Sequence, residues 1–139
     1  MKYAKHLLTA CVAFAGLVIV TNIPVHAQSL AMRVAIPFEF HAGEKALPAG
    51  TYIIQKRGDA ILVSDGRGNS VGVIAMAVPN KAAKLDNMVV FHRYGDLRFL
   101  TEVRWQGYSN ARGLTPSKEE TRLAKAGPVE TEKLAAIAQ

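Results

Sequence analysis

Two runs of strand-forming residues meet at Gly95-Asp96, and no other stretch restricts the fold as tightly. Met88 to Gly107, MVVFHRYGDLRFLTEVRWQG, is denser in aromatic and β-branched residues than the rest of the chain. Such runs on either side of a two-residue glycine turn read as one long antiparallel hairpin. A glycine at the first central position suits a type II′ turn and places Tyr94 opposite Leu97, Arg93 opposite Arg98 and Phe91 opposite Leu100. A turn centred on Tyr94-Gly95 would instead pair Arg93 with Asp96. Strict alternation gives the same two faces in either register. One carries Met88, Val90, His92, Tyr94, Leu97, Phe99, Thr101, Val103 and Trp105, and is expected to meet the core. The other carries Val89, Phe91, Arg93, Arg98, Leu100, Glu102 and Arg104, and is expected to be partly wet.

The start of the chain fixes its destination. Lys2 and Lys5 precede an apolar stretch from Leu7 to Val20, too short for a comfortable membrane span. Pro24 ends it, and Val25-His26-Ala27 offers small residues at the −3 and −1 positions of a cleavage site. Residues 1–27 therefore read as a secretory signal peptide, with Gln28 as the first mature residue. Leu8-Thr9-Ala10-Cys11 resembles a lipobox, but little apolar sequence precedes Cys11 and the hydrophobic run continues past it. A cysteine within the apolar region is the plainer reading. The expected location is periplasmic or secreted, with no transmembrane segment after cleavage.

Cys11 is the chain's one cysteine, so the mature sequence has neither a disulfide nor a thiolate. Removing Lys2 and Lys5 lowers the net charge from +6 to +4. That balance favours solubility and mild attraction to anionic polymers, without the dense basic patch of a nucleic-acid binder. About 112 mature residues suit one domain with a substantial core.

Several strands precede the hairpin. Met32 to Phe40 alternates, with Val34, Ile36, Phe38 and Phe40 on one side; Pro37 implies an edge or a bulge. His41 to Lys45 reads as a turn and Leu47 to Thr51 as a tight connection, with Gly50 at positive φ if the turn is type II. Strands follow at Thr51 to Lys56, Ala60 to Ser64 and Ser70 to Val78, the last two joined by Asp65-Gly66-Arg67-Gly68-Asn69. Pro79 to Asn87 is a lysine-bearing loop. The expected fold is all-β: a small antiparallel meander of about six strands, closed as a barrel or folded as a sandwich, over residues 28–107. Residues 108–139 read as a polar, partly helical tail that docks loosely. In it Thr115 is the expected N-cap, Pro116 the first helical residue, Lys125 lies in the last turn and Gly127 ends the helix. Val129 to Gln139 offers a second helix with weak anchors at Leu134 and Ile137.

Chemistry-bearing residues are sparse. His92 is the most reactive group on the hairpin, but no fixed spacing ties it to Asp96, Glu102 or His41. His41 and His92, the two mature histidines, form no metal-ligand pattern, and no cofactor motif is present. The loop at 66–69 matches neither phosphate-binding glycine pattern, and Arg57-Gly58-Asp59 reads as a turn.

The segments FEFHAG at 38–43, LPAGTY at 47–52, FHRYGD at 91–96 and FLTEVRW at 99–105 resemble a family of short exported bacterial β-proteins. The likeness covers most of the mature chain, including the polar Ser117-Lys118-Glu119-Glu120, and F-H-R-Y-G-D is its specific part. It implies export and a β fold; it brings no activity and no catalytic residues.

Three functional expectations follow. The leading one is a non-catalytic exported domain that binds an envelope protein or an anionic polymer through Arg93, Arg98 and Arg104, and through the tail. A second is a carrier with an apolar ligand inside the barrel near His92, Tyr94 and Trp105. The third is a hydrolase using His92. They differ in what they require: an arginine–aromatic patch, an internal cavity, or an accessible His92 beside a carboxylate.

Overall fold

The computed structural model describes residues 30–80 and 86–139. The expected signal peptide at 1–27, the Cys11 motif and most of the loop after Pro79 lie outside the described residues.

The hairpin forms with the expected turn. Strands β7 (Met88–Tyr94) and β8 (Leu97–Arg104) pair Tyr94 with Leu97, Arg93 with Arg98 and Phe91 with Leu100, and Gly95 has φ 61°. Beyond Phe91 the alternation fails. Val90 pairs with Glu102 and not with Thr101, so Thr101 is an extra residue in a β-bulge. Its hydroxyl donates to the Val90 carbonyl at 3.1 Å. The bulge reverses the sides of β8 after Leu100. Val89, Phe91, Leu100, Val103 and Trp105 all join the main core. Val90, His92, Tyr94, Phe99, Glu102 and Arg104 lie on the opposite side. The core face expected from alternation was therefore the wrong one for β7 and for Leu97 to Leu100 of β8, and the right one for Val103 and Trp105, which the inserted residue turns to the other side.

The remaining strands are β1 (Ala31–Ile36), β2 (Phe40–Ala42), β3 (Lys45–Leu47), β4 (Gly50–Arg57), β5 (Ala60–Ser64), β6 (Ser70–Pro79), β9 (Asn110–Leu114), β10 (Glu130–Ala135) and β11 (Ile137–Ala138). They form a mixed, open sheet of eleven strands in the order β10-β7-β8-β9-β6-β5-β4-β1-β11, with the β2–β3 hairpin attached to β8. Among the described residues the one parallel pairing is His41 of β2 with Phe99 of β8. The mostly β fold is as expected, but the strands outnumber the expected six and the sheet is open, which corrects the barrel alternative of the barrel-or-sandwich expectation. The extra strands come from two regions that carried little apolar signal: 40–47, read as turns, and 110–139, read as a tail.

Strand β6 explains how so long a sheet folds around one core. Its first half, Ser70 to Ile74, pairs with β5, and its second half, Ala75 to Pro79, pairs with β9. Met32, Ile36, Phe40, Tyr52, Ile54, Ile61, Phe91 and Val103 fill the interior. Phe40 meets Tyr52 and Phe91 edge-on at 5.2 and 5.6 Å, geometry that favours aromatic pairs. The Tyr52 hydroxyl donates to the Pro48 carbonyl at 2.6 Å and ties down the connection before β4. Gly50 is not at positive φ; it opens β4 opposite Ile36, which corrects the type II expectation.

The C-terminal residues are strands, not a second helix. Glu130 to Ala135 lines up along the open edge of β7, and Ile137 and Ala138 pair with β1. An unpaired edge offers a row of backbone donors and acceptors, and this pairing outweighs weak helix propensity. Only Ala136 separates the two strands, and its N–H donates to the Asn87 carbonyl at 2.9 Å. The single helix among the described residues, α1 (Lys118–Ala126), starts two residues later than expected. Ser117 is its N-cap, accepting from the Glu120 N–H at 3.0 Å. Thr115 instead donates its N–H to Ile74 and extends the β6–β9 pairing. None of the described helices is long and apolar enough to cross a membrane.

Candidate functional site

The side of the hairpin turned away from the main core is also apolar in part. Val90 and Phe99 are almost fully buried there. Over Phe99 lies His41, its ring stacked at 4.7 Å, with Tyr94 edge-on at 5.9 Å. The sheet thus brings both mature histidines to one phenylalanine, since His92 is paired with Phe99 across the hairpin.

Helix α1 crosses near this surface without sealing it. Its first turn is fixed by the Ser117 cap, and the Lys118 N–H donates to Glu44 at 3.0 Å. Glu120 is the helix's one buried residue. Between the helix and the sheet runs an open cleft of about 750 Å³. Val78, Leu114, Pro116 and Ala124 supply apolar walls; His92, Tyr94, Glu102, Arg104, Glu120 and Lys125 supply the polar groups.

Glu120 is the chemical centre of this cleft. Its side chain is 8% exposed, and Oε1 lies 3.4 Å from His92 Nδ1, whose side chain is 37% exposed. No hydrogen bond to the Glu120 carboxylate occurs among the described residues. Burial pushes this carboxyl up to about 7. Burial also lowers His92 below its ordinary value, against the pull of the Glu102 carboxylate. The Tyr94 hydroxyl is raised, first by burial and then by Glu120. Near neutrality Glu120 and His92 therefore form a close pair in which each group resists becoming charged.

The other residues singled out in the sequence are scattered. Arg93 and Arg98 point to the far side of the hairpin. Arg98 donates to Glu132 of β10 at 2.9 Å and lies 4.4 Å from the Phe38 ring centroid. Arg93 donates to the Gly95 carbonyl at 2.7 Å and reaches Glu130 and Glu132 at 3.5 Å. Arg104 is on the cleft side, held by Glu102 at 2.5 Å. The three arginines thus share no face, because the Thr101 bulge lies between Arg98 and Arg104. Trp105 is also separated from His92 and Tyr94. It is 4% exposed within the main core, and its Nε1 has no hydrogen-bond partner among the described residues.

The residue that sequence reasoning missed as a site is Glu120. Its signal was Ser117-x-x-Glu120, a capping box in which glutamate ordinarily returns to the N-cap amide. Here the serine half forms, while the glutamate turns to His92. Groups of three or more His, Cys, Asp or Glu able to hold a metal ion are absent among the described residues. The chain matches no protein-family model, no curated protein and no solved structure, so the chemistry of this cleft rests on its own geometry.

Proposed function

We propose that this chain is an exported, non-catalytic binding domain whose ligand seat is the cleft between α1 and the β7–β8 hairpin. One observation carries the reading: a cleft of about 750 Å³ with apolar walls and a few convergent polar groups, the size and character of small-molecule sites. This moves the ligand of the carrier expectation from the interior to the surface. The interior is filled by Phe40, Phe91, Tyr52 and their neighbours. An anionic polymer is the less favoured ligand, because Arg93, Arg98 and Arg104 already face glutamates.

Export and binding are tested separately. Intact mass of the protein recovered outside the cytoplasm should correspond to a chain starting at Gln28; an unprocessed or Cys11-lipidated product overturns that part. Amide shift mapping with a set of small apolar compounds should perturb residues 92, 94, 113, 121 and 124 together. Ala124→Trp, which fills the cleft from an exposed helix position, should abolish those shifts. Perturbations elsewhere, unaffected by Ala124→Trp, would remove the cleft as the seat.

A second reading draws on the His92–Glu120 pair, since an accessible imidazole beside a carboxyl meets the geometric requirement of a general base. Hydrolysis of activated esters that disappears in His92→Ala would establish it. Turnover indifferent to that change would end it.

A further inference from the structure

We propose that the cleft selects ligands carrying a protonated amine on an apolar body, with the amine seated against Glu120. The inference rests on the cleft being a ligand seat and specifies the chemistry it recognises.

Glu120 is more than nine-tenths buried, lines the cleft and has no hydrogen-bonded cation among the described residues. A buried carboxyl without donors is costly, and the group that relieves it best supplies both positive charge and several N–H donors. The surrounding charges leave that place open. On β8, Arg104 is committed to Glu102. On α1, Lys125 lies in the last turn, with no ion pair to Glu120 among the described residues. On β7, His92 and Tyr94 face the carboxyl, and neither brings a fixed charge. His41, on β2, is turned onto Phe99. Near Glu119, Arg122 is held in an exposed pair on the other side of the helix turn.

The rings of His92 and Tyr94 meet at 83° with centroids 6.4 Å apart, forming an aromatic corner beside the carboxyl. Ammonium groups are drawn to such faces. Val78, Leu114, Pro116 and Ala124 offer the carbon body an apolar wall. A carboxylate ligand would confront Glu120 with like charge, and an alcohol brings a single donor. Because burial holds Glu120 protonated up to about 7, an amine entering below that pH must displace its proton.

The test is calorimetric titration of the purified chain with hexylamine, hexanol and hexanoate at pH 6 and pH 8, in buffers of different ionisation enthalpy. The expected result is a preference for the amine of about tenfold or more at pH 8. At pH 6 amine affinity should fall about tenfold, with close to one proton released per amine bound. Glu120→Gln should keep its circular dichroism spectrum and lose both the preference and the proton release. Equal binding of all three compounds at the cleft would overturn the amine assignment and leave the seat standing. No binding, or binding unaffected by Ala124→Trp, would overturn the seat and the assignment together. Amine preference retained in Glu120→Gln would overturn the assignment alone.

Discussion

Glu120 is held in the folded chain at a cost, and the cost has a pH signature. Unfolded, its carboxyl loses its proton near the ordinary value of 4.5; folded, it holds the proton up to about 7. The folded state binds this proton more tightly, so the stability associated with it is fully present below about pH 4.5. It declines as pH rises and is lost above about 7. His92 acts in the opposite sense: its folded value is depressed, so its stability is present above 6.5 and is lost as pH falls. Glu120→Gln removes only the first effect. Urea unfolding at pH 5 and pH 8 should show the wild type losing on the order of 2 kcal/mol more than the variant over that interval. An equal loss in both proteins would mean that Glu120 is ionised when folded, paired with a charged His92. Asn87 offers a contrasting case of buried polarity whose oxygens are hydrogen-bonded. It is 7% exposed; its Oδ1 accepts from the Gln106 N–H at 3.0 Å and its carbonyl accepts from Ala136. Asn87→Ala should lower stability by about 1–2 kcal/mol at every pH, since it strands the Gln106 donor.

At the scale of elements, the Thr101 bulge decides which groups become a site. Were Thr101 paired in a regular ladder, Val103 and Trp105 would lie on the side of Phe99, and Glu102 and Arg104 on the side of Phe91. Deleting Thr101 restores a regular ladder with the same partners, Phe91 with Leu100 and Val90 with Glu102, so every residue beyond Leu100 keeps its face and the chain should still unfold cooperatively. Thr101→Val keeps the extra residue and removes only the bond to Val90; it should cost about 1 kcal/mol. Loss of cooperative unfolding on deletion would mean that the sheet needs the bend and twist of the bulge itself, and not only the change of side. This element also marks the limit of what the sequence discloses. Strands at 51–56, 60–64 and 70–78, and the hairpin register up to Phe91–Leu100, were legible because apolar alternation and glycine turns agree there. The bulge was not, since both faces of the hairpin bury apolar side chains and alternation alone cannot choose between them. Position 120 was legible as part of a helix start, but not as a site. Its burial comes from how α1 lies over β7, a tertiary fact with no local trace.

At the scale of the molecule, the last ten residues link the two ends of the sheet. Glu130 to Ala135 covers the edge of β7, and Ile137 and Ala138 reach β1. Strand β1 and the C-terminal residue meet there, for the Gln139 N–H donates to the Ala31 carbonyl at 3.2 Å. Sequence polarity hid this role: Glu130, Thr131, Glu132 and Lys133 look like a solvated tail. In the structure Glu132 is a half-buried acceptor for Arg98, and Leu134 packs against the core. The contribution of the segment is divisible. An ion pair this exposed is worth under about 1 kcal/mol, so Glu132→Gln should hardly move the urea midpoint. Ladder hydrogen bonds add about 0.5–1.5 kcal/mol each, and partial burial of Leu134 about 1 kcal/mol. Ending the chain at Gly127 removes all of these and bares the β7 edge. That truncation should cost more than about 3 kcal/mol and raise amide exchange first in β7 and β1, the strands it uncovers. Were the truncated chain as stable as the full one, residues 130–139 would be an appendage, and Arg93 and Arg98 would be free to engage an acidic partner. Binding of an anionic polymer that appears on truncation and is lost in Arg93→Ala/Arg98→Ala would then locate that second surface on the hairpin edge.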